Sequence, residues 1–122
     1  MTIHEFLHAL PVCKTAITNQ AAVEALYGTA LPTELASVIA CMNDTIFFEG
    51  DIFLRLLSYQ ELLDAEPDMN TELISKKLVP IFDLGDNDYL CYDLSKNCWC
   101  KYNIVDEISF GKKDSLSAYF PE

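Results

Sequence analysis

The chain has 122 residues, 51% of them hydrophobic, with 19 acidic against 8 basic side chains and a formal net charge of -11. That length suits a single domain, 1–122, whose core needs no metal or disulfide staples, and the apolar content excludes a disordered tail. The charge makes nucleic acid and anionic membranes poor partners, because phosphate binding needs a basic patch, and no run of about 18 apolar residues exists to span a bilayer.

Residues 2–9 read as a short helix, with Ile3, Phe6, Leu7 and Leu10 at helical spacing and Pro11 stopping it. The stretch lacks the basic segment and long apolar run of a secretory leader, so a cytoplasmic location is expected. It also contains His4-Glu5-Phe6-Leu7-His8, an H-E-x-x-H string. On a helix such a string places two imidazoles on one face for zinc, with the glutamate polarising a bound water, as in a zinc hydrolase. The chain has no third histidine, so Glu24 or Glu34 would have to complete the site. An amphipathic helix is therefore the expected reading, with no catalytic residue, metal ligand or cofactor assigned.

Thr18 or Asn19 is expected to cap a helix through Tyr27, ended by Gly28. Leu31-Pro32 opens the next, with Leu35, Val38, Ile39 and Met42 on its apolar side. Asn43-Asp44 breaks it. Thr45–Phe48 and Ile52–Leu57 then read as strands around a Glu49-Gly50-Asp51 turn, with Arg55 expected to answer Glu49 or Asp51. Ser58-Tyr59-Gln60-Glu61 is a capping box opening a helix to about Ala65. Glu66–Thr71 is a polar, proline-containing loop, and residues 71–77 allow another turn or two of helix.

Two apolar runs, Leu78–Phe82 and Tyr89–Leu94, flank Asp83, Gly85, Asp86, Asn87 and Asp88 and predict an antiparallel hairpin. Alternation sends Leu90, Tyr92 and Leu94 one way and Tyr89, Cys91 and Asp93 the other, so one face enters a core and the other carries polar tips to solvent. Ser95-Lys96-Asn97 turns into a strand at Cys98–Tyr102, and Ile104, Val105 and Ile108 offer one more. Asp114 or Ser115 caps a last helix. The five cysteines are odd in number and form no Cys-x-x-Cys pair, so reduced thiols are expected. No glycine-rich loop followed by Lys-Ser/Thr cradles a phosphate. The fold class is α+β: a twisted, mainly antiparallel sheet from residues 45–109, with N-terminal helices packed on it and a short C-terminal helix.

The acids are unevenly placed. Asp83, Asp86, Asp88 and Asp93 sit in the central hairpin with no basic residue among them, and Glu49 and Asp51 sit in the preceding turn. Six carboxylates at turns project a negative field, which suits a docking face for a basic protein better than a catalytic cleft. Tyr59 and Tyr89 are the candidate aromatic anchors of that face.

The motifs, in order, resemble those of the SUKH superfamily, a group containing bacterial immunity proteins and a fungal cell-wall-assembly regulator. The likeness rests on Glu24–Gly28, then Leu31-Pro32-Thr33-Glu34-Leu35, then Leu56-Leu57-Ser58 before Glu61, then Leu78-Val79-Pro80-Ile81, a Gly/Asp-rich turn and Asp88-Tyr-Leu-Cys-Tyr-Asp93. It runs from about residue 20 to the end and leaves out the first 18 residues. The family usually has Asn-Gly after the second helix, where this chain has Asn43-Asp44. The resemblance implies a non-enzymatic immunity protein that binds and neutralises a cognate bacterial toxin, often a nuclease with a basic groove. A regulatory protein-interaction module is the alternative, and a zinc hydrolase a more distant one.

Overall fold

Six strands hydrogen-bond in the order in which they occur along the chain, every pair antiparallel. They are β1 (Ile46–Phe47), β2 (Arg55–Leu56), β3 (Leu78–Gly85), β4 (Asp88–Asp93), β5 (Cys98–Asn103) and β6 (Ile108–Lys113) in a computed structural model that describes residues 2–120. The ends of the expected domain, residue 1 and residues 121–122, lie outside the described residues. Five α-helices accompany the sheet: α1 (Ile3–His8), α2 (Ala16–Tyr27), α3 (Thr33–Ile39), α4 (Tyr59–Leu63) and α5 (Ala65–Met69), with a 3-10 turn at Leu116–Tyr119 in place of the expected last helix. The fold class is α+β. No helix of the described residues is long and apolar enough to cross a membrane.

The central hairpin forms as expected but with a tighter turn. β3 continues to Gly85, β4 starts at Asp88, and Asp86 and Asn87 between them have φ of 53° and 67°. Two left-handed residues give the turn whose twist matches that of the flanking strands, and Asp and Asn tolerate that conformation better than most residues.

Local chemistry places the helices. Thr2 Oγ1 accepts from the Glu5 amide while the Glu5 carboxylate accepts from the Thr2 amide, a capping box that fixes the start of α1. The same device opens α4 through Ser58 and Glu61, as expected. Gly28 ends α2 at φ 71° with its amide donating to the Glu24 carbonyl. The expected cap at Thr18 or Asn19 is not there. The helix begins at Ala16, and Asn19 lies inside it, buried, donating Nδ2 to the Met42 carbonyl at 3.2 Å.

Three further expectations are corrected. Residues 65–69 form α5, where a loop was expected, because Pro67 occupies the first turn, in which amides have no helical partner to lose. Residues 71–77 are turns without helix, shaped by the Glu66 carboxylate accepting from the Leu73 and Ile74 amides at 2.8 and 3.1 Å. Ile104–Glu107 turn the chain, held by the Asn103 carboxamide oxygen accepting from the Val105 and Asp106 amides, and the last strand starts only at Ile108.

Both faces of the sheet are covered. On one, Phe6, Val23, Leu35 and Ile39 of the N-terminal helices pack with Val79, Phe82, Leu90, Tyr92 and Trp99. On the other, Ala65 and Leu73 pack with Leu78, Cys91, Cys100 and Tyr102. This overturns the expectation that one face of β4 meets solvent: Cys91 is fully buried and Asp93 is 6% exposed. All five cysteines are free thiols. Filling both faces raises the apolar area removed from water, at about 1.5–3 kcal/mol for each fully buried large side chain.

Candidate protein-docking face

Arg55 organises the end of the sheet that carries the acidic turns. β2 sets it opposite Phe47 on one side and Asp83 on the other. Its guanidinium donates to both oxygens of Glu61 at 2.8 Å, to Asp83 Oδ2 at 3.1 Å and to Thr45 Oγ1 at 3.0 Å. The expected partners, Glu49 and Asp51, are not among these contacts. A planar donor fork matched to two carboxylates joins the β1–β2 hairpin, the start of α4 and β3 in one network. Burial works against the charged forms here, but the hydrogen bonds win. They raise the Arg55 pKa, and the Ser58 amide with the Arg55 guanidinium holds the Glu61 carboxyl below the ordinary carboxylate range.

This network carries an exposed aromatic pair. Phe47 and Phe53 leave 55% and 51% of their surface to solvent, and their rings meet edge to face with centroids 6.2 Å apart. The Arg55 guanidinium lies 6.0 Å from the Phe47 ring centre, which braces that ring from behind. The Phe53 ring reaches the tip of the central hairpin: a Cβ placed on Gly85 would lie 3.5 Å from its Cδ1. Ile52 is also exposed, and beside Phe47 a groove of about 370 Å³ opens between α1 and β1, lined by Phe6, Ala9, Leu10, Pro11 and Ile46 with Glu49 at its mouth.

The eight expected contact residues divide sharply. Glu49, Asp51 and Asp86 are exposed, and their side chains make no hydrogen bond or ion pair among the described residues. The other three acids are occupied. Asp83 accepts from Arg55 and from the Gly85 amide, and Asp88 accepts from Asn103 Nδ2 at 2.8 Å. Asp93 is buried and accepts from the amides of Ser95 and Lys96 and from the Ser95 hydroxyl, so it closes the β4–β5 turn. Tyr59 and Tyr89 are half-buried and packed on the core. Burial, with the nearby Asp83 charge, pushes the Tyr89 hydroxyl pKa up.

No family model, curated protein or solved structure matches the chain.

The H-E-x-x-H string has other work in this fold. Glu5 is spent on the α1 capping box, and His4 Nε2 hydrogen-bonds the Phe120 carbonyl. Glu34, which would have to complete a metal site, accepts from the Leu116 amide at 2.7 Å. No three His, Cys, Asp or Glu side chains among the described residues are placed to hold a metal ion.

The sequence does not mark Phe47 or Phe53 as a contact residue: Phe47 lies in a strand as expected, whereas Phe53, expected in the Ile52–Leu57 strand, precedes β2, which is only Arg55–Leu56. A signal existed, because Ile46-Phe47-Phe48 is a continuous apolar run in which neighbours must point opposite ways. Phe48 takes the core and packs on Phe6 at 5.4 Å, which leaves Phe47 outside.

Proposed function

We propose that this chain is a non-enzymatic binding protein that neutralises a bacterial toxin, as the SUKH resemblance implies. It docks through the Phe47–Phe53 pair, ringed by Glu49, Asp51 and Asp86. One observation carries the reading: two large aromatic side chains lie half in water, braced by a satisfied ion network, with the exposed Glu49 and Asp51 in the turn that joins them and the exposed Asp86 next to Gly85, which Phe53 approaches. An isolated molecule gains nothing by leaving such rings in solvent, whereas rings of this kind, desolvated by a partner, dominate interface energetics. The base within the network, Arg55, is paired with Glu61 and Asp83, so its charge is answered there while Glu49, Asp51 and Asp86 stay exposed. Rim charge of one sign accelerates association with a basic protein and rejects partners of like charge. A basic nuclease groove is one surface that fits.

The acids that serve this function are Glu49, Asp51 and Asp86. Asp83, Asp88 and Asp93 act indirectly, by fixing the turns on which the rim is mounted. The test is co-expression of the chain with the protein encoded beside it, scored by cell survival and by co-purification. Rescue that is lost in a Phe47→Ser/Phe53→Ser double variant, which still folds, supports the proposal. If the neighbouring product is not toxic, or the double variant protects as well as the wild type, the proposal fails.

A further inference from the structure

β6 is the long free edge of the sheet. Among the described residues it pairs only with β5, whereas β1 at the opposite edge has two residues. All six β6 residues are exposed, with Ile108 at 57% and Phe110 at 42%, and Val105 just before them is 68% exposed. The register with β5 decides how they point. Ile108 stands opposite Asn103 and Phe110 opposite Lys101, so both side chains share the sheet face that carries Trp99. Charge is asymmetric along the strand: Asp106 and Glu107 precede it, and Lys112 and Lys113 end it. A strand that is acidic at one end, apolar in the middle and basic at the other complements its own reverse.

We propose that β6 pairs antiparallel with β6 of a second copy of this chain, about a two-fold axis through Ser109. In that register Ile108 of each copy stands opposite Phe110 of the other, two apolar pairs on one face, and the acidic turn residues Asp106 and Glu107 of each copy lie at the end of the pairing that carries Lys112 and Lys113 of the other. A slip by one residue puts side chains of opposite faces across from each other, so the pattern selects this arrangement. An isologous pairing of this kind satisfies the backbone groups of both exposed edges at once.

The strand also carries features that limit indiscriminate pairing. Gly111 is left-handed at φ 62°, the register with β5 shifts between Trp99 and Lys101, and the Tyr119 hydroxyl donates to the Gly111 carbonyl. A bulge and lysines blunt an edge. They lie beyond Phe110, so residues 108–110 stay open to a short partner with matching ends. This surface is independent of the toxin-docking reading.

The test is sedimentation velocity over a concentration series at about 0.15 M salt, where repulsion between the acidic copies is screened within about 8 Å. Four samples are compared: wild type, Lys112→Glu, Asp106→Lys, and an equimolar mixture of the two variants. Both positions are exposed, and circular dichroism confirms that each variant folds. The wild type is expected to shift towards twice the monomer mass as concentration rises. Each variant alone places like charges at both contacts and stays monomeric. The mixture restores two opposite-charge contacts and dimerises. A wild type that is monomeric at every concentration overturns the proposal, as do variants that associate like the wild type or a mixture that behaves like its components.

Discussion

Replacing Arg55 with methionine keeps most of the side-chain volume and removes the guanidinium that joins three elements. Arg55 and Asp83 side chains are 15% and 19% exposed, and Glu61 is 39% exposed. An exposed pair contributes about 0–1 kcal/mol, while removing one partner of a buried pair costs about 3–5 kcal/mol. The Asp83 contact lies near the buried end of that range. The Glu61 contact is trimmed by solvent screening, so the expected total is about 2–3 kcal/mol, or roughly 6–15 °C in Tm for a domain of this size. The measurement is urea unfolding of wild type and variant from pH 7 down to pH 3. The folded Glu61 pKa lies below its unfolded value near 4.5, so its contribution is full above pH 4.5 and is lost as pH falls through the folded pKa. The gap between the two proteins is therefore largest at neutral pH and narrows in acid. A gap under about 0.5 kcal/mol at pH 7, or one of equal size at pH 3, refutes the network.

Other outcomes follow from the same coordinates. A Cβ on Gly50 would sit 2.2 Å from Phe48 Cε2, so Gly50→Ala displaces a core ring and lowers stability by about 1–3 kcal/mol, read as a reduced urea midpoint at unchanged slope. Burial pushes the Cys100 thiol from its usual value near 9 up to about 11 and the Cys91 thiol well up too. Raised folded pKa values stabilise fully below pH 9 and lose that contribution as pH climbs through 11, so the midpoint should fall from pH 9 upward, and less so in a Cys91→Ala/Cys100→Ala variant. Phe53→Ala should leave the melting temperature within about 3 °C while weakening toxin binding by at least tenfold, or about 1.4 kcal/mol; equal binding removes Phe53 from the interface.

Much of the architecture was legible because it is local. Alternating apolar runs around Asp86-Asn87 specify the central hairpin, Ser58-x-x-Glu61 specifies a helix start, and Gly28 specifies a stop. What escaped was mostly non-local. Arg55 was assigned to the nearest acids in its own hairpin, but strand register puts Asp83, 28 residues away, across from it. Asp93 reads either as a surface acid or as a turn cap, and the Ser95 and Lys96 amides that donate to it make it the cap. Other misses were readable. Thr2-x-x-Glu5 is the same capping box as the one at Ser58, hidden under an H-E-x-x-H match. Pro67 makes Glu66–Thr71 read as a loop, although a proline in a first turn breaks nothing. The run of apolar residues at 104, 105 and 108 suggested a strand, but Asn103 supplies the turn that delays it.

The central claim is that unpaired carboxylates around an exposed aromatic pair meet a basic protein. Isothermal titration against the proposed toxin partner, inactivated in its own active site, tests this most directly when wild type and a Glu49→Lys/Asp86→Lys variant are compared between about 50 and 200 mM salt, since only exposed charge is strongly screened over that range. The expected result is tight wild-type binding that weakens with salt, and a variant at least tenfold weaker whose salt dependence is flattened. Equal affinity and equal salt dependence for the two proteins would contradict it.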